Sequence, residues 1–123
     1  YIYKVEDENR VLMIDRSQME QVLINLLKNA GEACMEQSHP EVMIETVYSA
    51  EKHIFQLSVK DNGSGILPEV QDKIFIPFFT TKTTGSGIGL SLCKQIMTLH
   101  GGSLQVNSEL GKGSCFTLKL LAK

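Results

Sequence analysis

No run of apolar residues in this chain approaches the ~18 that a membrane helix needs, and its first residues, Tyr1-Ile2-Tyr3-Lys4-Val5-Glu6, do not resemble a secretory leader. Positive charge is not in excess either. A net charge of -2 without any long basic run leaves no electrostatic footprint for nucleic acid. Cysteine is scarce: Cys34, Cys93 and Cys115 lie far apart, with no C-x-x-C pair and no histidine at metal-ligand spacing. A disulfide framework and a zinc site are both excluded, and the three read as reduced packing residues of a cytosolic protein. Internal repeats, low-complexity tracts and linkers are also missing, so residues 1–123 form one domain. What is present, 42% apolar and 21% charged residues, is ordinary for a soluble globular domain. At this length roughly two thirds of the unfolded surface can be buried.

Tyr1 to Val5 and Val11 to Ile14 are short strand candidates around Asp7-Glu8-Asn9, an edge hairpin. The chain starts inside the first of them without a polar preamble and reads as a fragment of a longer protein. Asp15 and Gln18 form an N-cap and capping-box pair ahead of a helical pattern that runs to about Gln37. Met19, Val22, Leu23, Leu26, Leu27, Ala30, Ala33 and Cys34 fall at the spacing of one buried face. Gln21, Asn25, Lys28, Asn29, Glu32 and Glu36 lie on the other side. Asn25 and Asn29 are one turn apart in mid-helix, where asparagine is a poor former. Two readings stand: a solvated polar face, or a carboxamide oxygen from Asn29 offered to a hard cation such as magnesium.

Ser38-His39-Pro40 ends the helix, and Glu41–Ser49 with His53–Lys60 make a hairpin in which Val42, Ile44, Thr46 and Tyr48 alternate against Met43, Glu45 and Val47. The second strand runs into Asp61-Asn62-Gly63-Ser64-Gly65. Asn-Gly marks a hairpin turn in many chains. The segment that follows, Ile66 to Lys73, reads as a proline-started helical turn rather than a returning strand. A carboxylate at a strand end can instead accept a ligand's hydrogen bond, while glycines beside it admit the ligand to the backbone. His39 and His53 are isolated and read as surface residues.

Lys73 to Lys82 combines aromatic residues with threonines, and Thr83 to Leu90 is rich in glycine, ahead of a helix from about Ile88 to Leu99. Together they describe a lid anchored by its aromatic end. Glycine-turn amides and a helix N-terminus suit phosphate oxygens, and Lys82 adds a point charge. The glycines do not fit a Rossmann turn, since no strand precedes them, and Gly111-Lys112-Gly113-Ser114 has the wrong order for a P-loop. Gly101-Gly102 stops the helix after His100. Strands from about Ser103 to Asn107 and from Ser114 to Leu121 follow, with Phe116, Leu118 and Leu120 facing the core and Cys115 and Thr117 facing away.

These residues carry a resemblance. Asn25-x-x-x-Asn29-Ala30, Asp61-x-Gly63-x-Gly65, Phe75-x-Pro77-Phe78-Phe79-Thr80-Thr81-Lys82, Gly85-x-Gly87-x-Gly89-Leu90 and Gly111-x-Gly113-Ser114 resemble, in order, the N, G1, F, G2 and G3 boxes of the catalytic ATP-binding domain of sensor histidine kinases. The wider superfamily includes gyrase, heat-shock chaperones and mismatch-repair ATPases. The Phe-Phe-Thr-Thr-Lys form of the F box is similar to the subset with nitrogen-regulation sensors. The resemblance implies an α+β fold: a two-layer α/β sandwich with a mixed β-sheet of about five strands and about three helices packed on one face, the Bergerat-type ATP-binding fold.

It also implies a site for ATP and Mg2+. Asp61 would accept the adenine amine, Asn29 would hold the metal, and Asn25 would lie near metal and phosphates. Gly63, Gly65 and Ile66 would line the adenine pocket with Phe75, and Ser114 would fix the base from the last strand. Thr81, Lys82, Gly85, Ser86, Gly87, Ile88, Gly89 and Leu90 would close on the phosphates, with Lys82 and Asn25 in catalytic positions. In the hydrolytic relatives the position that corresponds to Asn25 resembles a glutamate that activates water; a carboxamide has no useful basicity, so water attack should be slow. The implied function is transfer of the γ-phosphoryl group to a histidine on a separate helical dimerisation domain, with a response regulator downstream. None of His39, His53 and His100 sits in such an acceptor motif. The parent would be a homodimer, this domain a monomer alone, its location cytoplasmic with the parent free to be anchored at the inner membrane. A nucleotide-gated ATPase clamp and an anti-sigma-type serine kinase are the alternatives. One departure is Glu32, where many members carry a lysine or arginine; it shifts the phosphate contacts onto Lys82.

Overall fold

A computed structural model describes residues 14–79 and 89–121. The chain runs α1 (Arg16–Ala33), β1 (Val42–Ser49), β2 (Ile54–Asp61), α2 (Pro68–Gln71), α3 (Gly89–Leu99), β3 (Ser103–Glu109), β4 (Gly113–Leu121). The expected α+β sandwich is present. Four strands form one sheet in the order β1-β2-β4-β3, with every described pairing antiparallel. A mixed sheet of about five strands was expected. β2 and β3 do run the same way, as a helical crossover requires, but β4 lies between them and makes each contact antiparallel. The strand candidates at Tyr1–Val5 and up to Met13 lie outside the described residues, and Ile14 is not in a strand.

α1 and α3 pack on one face of the sheet around Val22, Leu26, Val59, Met97, Phe116 and Leu118, all nearly or fully buried. Each such side chain contributes about 1.5–3 kcal/mol. The opposite face carries Gln56, Ser58, Thr117 and Lys119 along the two central strands, with the Ser58 and Thr117 hydroxyls 3.2 Å apart across them, and exposed Met43 and Val47 on β1. Among the described residues no helix is long and apolar enough to cross a membrane.

Asp15 caps α1 as expected, its Oδ1 accepting the Gln18 N–H at 2.9 Å. The reciprocal half of the capping box is absent: the Asp15 N–H donates to His100 Nε2 at 3.0 Å instead, while His100 Nδ1 meets the Ile96 carbonyl at 2.9 Å. The end of α3 thus closes the start of α1. The helix stops at Ala33, short of Gln37. Beyond it the Cys34 N–H still makes an α-helical bond to the Ala30 carbonyl, the Met35 and Gln37 N–H groups return to the Glu32 and Cys34 carbonyls in tighter turns, Met35 is exposed, and the Ala33 carbonyl is covered by Gly63. On the predicted apolar face Met19, Val22, Leu26, Ala30 and Cys34 are buried, whereas Leu27 and Ala33 are exposed.

The loop from α1 to β1 is held by one side chain. Asn62 Oδ1 accepts the Glu41 N–H at 2.9 Å, its Nδ2 donates to the His39 carbonyl at 2.8 Å, and its own N–H donates to the Glu41 carbonyl at 3.2 Å. Asn62→Ala removes the two side-chain bonds at the exit of β2 and is expected to cost about 1–2 kcal/mol. Thermal melts of wild type and variant measure it, and equal melting temperatures would contradict the assignment.

Candidate functional site

Along β2 a period of two sends Phe55, Leu57 and Val59 toward the helices, so the next residue on that stripe is Asp61. A carboxylate therefore ends an apolar row, 3% exposed, at the last register position shared with Val42 of β1 and Ser114 of β4. Asp61 Oδ1 accepts the Gly63 N–H at 2.9 Å. Its Oδ2 is buried and has no hydrogen-bond partner among the described residues. A buried oxygen left this way costs free energy that a donor would recover. Burial pushes the Asp61 carboxyl above the usual range, and the amides of Gly63 and Ser114 offset part of the rise.

Ser114 is directly opposite Asp61 and 4% exposed, on the same face of the sheet. Gly63 and Gly65 were expected to leave room for a ligand. They also serve the chain's own packing: a Cβ on Gly63 would collide with the Ala33 carbonyl and crowd Asp61 Oδ1, and one on Gly65, whose φ is 84°, would press on the Glu109 carbonyl.

The two asparagines separate from the solvated side of α1. Gln21, Lys28 and Glu36 are exposed, whereas Asn25 and Asn29 are half-buried. Asn25 Nδ2 donates to the Gly89 carbonyl at 3.4 Å and its Oδ1 accepts from Gln21 Nε2 at 3.2 Å. The first residue of α3 is thereby held against mid-α1, with Leu90 partly buried beside it. Behind them lies Cys93, fully buried; burial pushes its thiol up and the Asn25 carboxamide offsets part of that. Asn25, Asn29 and Ala33 stand on successive turns, so roughly 12 Å of helix separates the Gly89 contact from the Gly63 contact. The floor between them is α1, with Asn29 at its middle.

Phe75 anchors the segment that follows α2. Its ring meets Phe116 edge-on at 6.4 Å between centroids, and Lys94 Nζ lies 4.6 Å above it. Phe78, by contrast, is 75% exposed and holds a left-handed φ of 68°. Ile66 packs partly against the core. Thr81, Lys82, Gly85, Ser86, Gly87 and Ile88 lie outside the described residues. A groove of about 560 Å³ follows β3 past Phe75, Lys94 and Asn107, and Asp61 is not among its lining residues.

Two residues that the motifs do not contain enter the site. Ser108 Oγ accepts the Ile66 N–H at 2.7 Å, and Gln71 Nε2 donates to the Ile66 carbonyl at 3.1 Å and the Ser108 carbonyl at 3.2 Å. A serine in a strand and a glutamine in a short helix carry no spacing signal. Only the fold brings them to the loop after Asp61.

No group of three or more His, Cys, Asp or Glu side chains that could hold a metal ion occurs among the described residues. The donors toward the middle of the floor are neutral carboxamides, which fit a magnesium ion sharing its shell with phosphate and water.

Residues 14–123 match the family described as Histidine kinase-, DNA gyrase B-, and HSP90-like ATPase. The chain is 40% identical over 121 residues to the signal transduction histidine-protein kinase AtoS of Escherichia coli K12, covering 98% of this chain and 19% of that protein. It is 39% identical over 112 residues to the sensor protein FixL of Bradyrhizobium diazoefficiens, covering 91% and 22%. It spans about a fifth of the length of these relatives. Among solved structures, the nucleotide-free catalytic domain of histidine kinase ThkA superposes with a TM-score of 0.80 at 35% identity, covering 94% of this chain and 74% of that one. Full-length ShkA in complex with AMPPNP gives 0.79 at 26% identity, covering 92% and 23%.

Proposed function

The chain belongs to the histidine kinase-, DNA gyrase B- and HSP90-like ATPase family, and we propose that it binds Mg-ATP and delivers the γ-phosphoryl group to a histidine on a separate helical domain of its parent protein. The observation that carries the nucleotide assignment is Asp61 Oδ2, a buried acceptor without a donor at the end of an interior strand. An adenine amine supplies that donor. Guanine presents an oxygen at the same place and would set two acceptors against each other. From there the triphosphate runs along α1 toward Asn29, Asn25 and the start of α3, where helix-end amides face phosphate oxygens. AMPPNP in the ShkA structure is consistent with a nucleotide on this fold.

Asn29 would hold magnesium, which neutralises phosphate charge when bound. Phosphoryl transfer needs positioning and charge stabilisation more than covalent help. Asn25 orients through its bonds to Gly89 and Gln21 and, as a carboxamide, does not activate water. Lys82, Thr81 and the Gly85–Ile88 turn would approach the phosphates. Ser114 would fix the base beside Asp61. An acceptor domain, a homodimeric parent, a response regulator downstream and a cytoplasmic site of action belong to the same proposal, which the names of the relatives, a histidine-protein kinase and a sensor protein, support.

The isolated domain is expected to bind Mg-ATP, to hydrolyse it slowly, and to label histidine only when the parent's helical segment is added. Radiolabelled ATP with acid- and base-stability analysis of the phosphoprotein reads the outcome. Acid-stable phosphoserine would replace the histidine assignment with the serine-kinase alternative; rapid hydrolysis without acceptor would favour the ATPase clamp.

A further inference from the structure

Ser108 is placed where three parts of the site meet. Its hydroxyl accepts the Ile66 N–H at 2.7 Å, lies 3.1 Å from the Gly113 carbonyl, to which it donates, and lies 3.0 Å from the Ser114 hydroxyl. A serine hydroxyl has one proton and two lone pairs. With the proton on the Gly113 carbonyl and one lone pair on Ile66, the remaining lone pair can only accept, so the Ser114 hydroxyl donates to it. Ser114 is then left with lone pairs alone. It sits directly across from Asp61, on the same face and equally buried. The Ser114 side chain consequently offers only an acceptor beside Asp61, the donors facing that carboxylate being the Gly63 and Ser114 backbone amides.

We propose that Ser108 is a positioning and specificity-determining residue for the purine: it holds the loop after Asp61 through Ile66 and orients the Ser114 proton away from the base, so that the pocket selects a ring edge bearing an amine. The inference rests on the assignment of the purine to Asp61. Gln71 supports the same arrangement by binding the Ile66 and Ser108 carbonyls together, and the Gly111 N–H ties the Ser64 carbonyl to the adjoining turn at 2.8 Å. Without the Ser108 oxygen, the Ser114 proton is free to turn toward the base and to meet a keto oxygen.

The test compares ATP and GTP affinities of the whole chain by competition against a fluorescent ATP analogue, for wild type, Ser108→Ala, Ser108→Thr and the Ser108→Ala/Ser114→Ala pair. Ser108→Ala is expected to narrow the ATP-over-GTP preference by about tenfold, through weaker ATP and stronger GTP binding. Ser108→Thr keeps the hydroxyl and should restore the preference. In the Ser114→Ala background, loss of Ser108 should leave the preference where Ser114→Ala alone puts it, because there is no longer a proton to direct. A Ser108→Ala chain that melts earlier but keeps the wild-type preference would overturn the proposal and leave Ser108 a loop-holding residue. If the alanine variant does not fold, Ser108→Cys, similar in size but a poor acceptor, carries the same expectation. A wild-type chain with no preference for ATP would instead remove the Asp61 assignment, a result distinct from a preference that survives the loss of Ser108.

Discussion

Asp61→Asn raises the melting temperature of the nucleotide-free domain and weakens ATP binding about ten- to hundredfold. Both effects come from one atom. In the free domain Asp61 Oδ2 is buried without a donor, and burial pushes the carboxyl above its usual range. The native state therefore binds this proton more tightly than the unfolded chain does. The associated stability is fully present below the unfolded-state pKa and is lost as pH rises through the higher native value. At neutral pH the ionised group is a liability, and the neutral amide relieves it. Binding runs the other way. The bond from the adenine amine to a carboxylate, about 1.5–3 kcal/mol, falls to a neutral contact at best, and the asparagine NH2 can turn toward a keto oxygen, erasing the preference over GTP. Melts with and without ATP at neutral and acid pH measure both. The wild-type increment from ATP should shrink on acidification as the acceptor is protonated, and that of the variant should not. A variant that melts lower than wild type and binds ATP equally well would contradict the account.

Asn29→Ala is expected to act on turnover instead. It leaves the purine end of the floor, Asp61, Gly63 and Ser114, unaltered and removes the carboxamide assigned to magnesium. Losing several kcal/mol of charge stabilisation in the transition state corresponds to a hundredfold or greater fall in phosphotransfer. Binding of ATP measured with EDTA should change by only a few fold. Single-turnover transfer to the helical acceptor over a magnesium series separates the two quantities. Magnesium-dependent turnover within tenfold of wild type would remove Asn29 from the metal site.

The sequence disclosed what depends on period and order. Asp61 stands at the next position of the Phe55-Leu57-Val59 row and the asparagines are one turn apart in mid-helix, so spacing singled both out as candidates, beside a turn and a solvated face as the other readings. The α+β layering was what the resemblance of the five boxes implied. Less legible were features set by partners distant in the chain. Gln18 matches a capping box, yet His100, 85 positions from Asp15, takes the bond that Gln18 was expected to make. Glycines after Asp61 suggested room for a ligand, whereas Ala33 and Glu109 also claim that space. Phe75 was assigned to nucleotide, and its contacts with Phe116 and Lys94 had no counterpart in the spacing. Ser108 had no signal at all, because a strand serine becomes informative only once Ile66, Gly113 and Ser114 surround it.

The placement of β4 between β2 and β3 has a consequence for the order in which the protein can be made. Ser114 and the edge that flanks Asp61 belong to the strand synthesised after all the others, and Ile54 pairs with Leu121 across most of the domain's length. Such distant pairings close late. A nascent chain still short of Gly113 on the ribosome lacks the β2–β4 ladder beside Asp61, so the proposed purine site is complete only once β4 has been released.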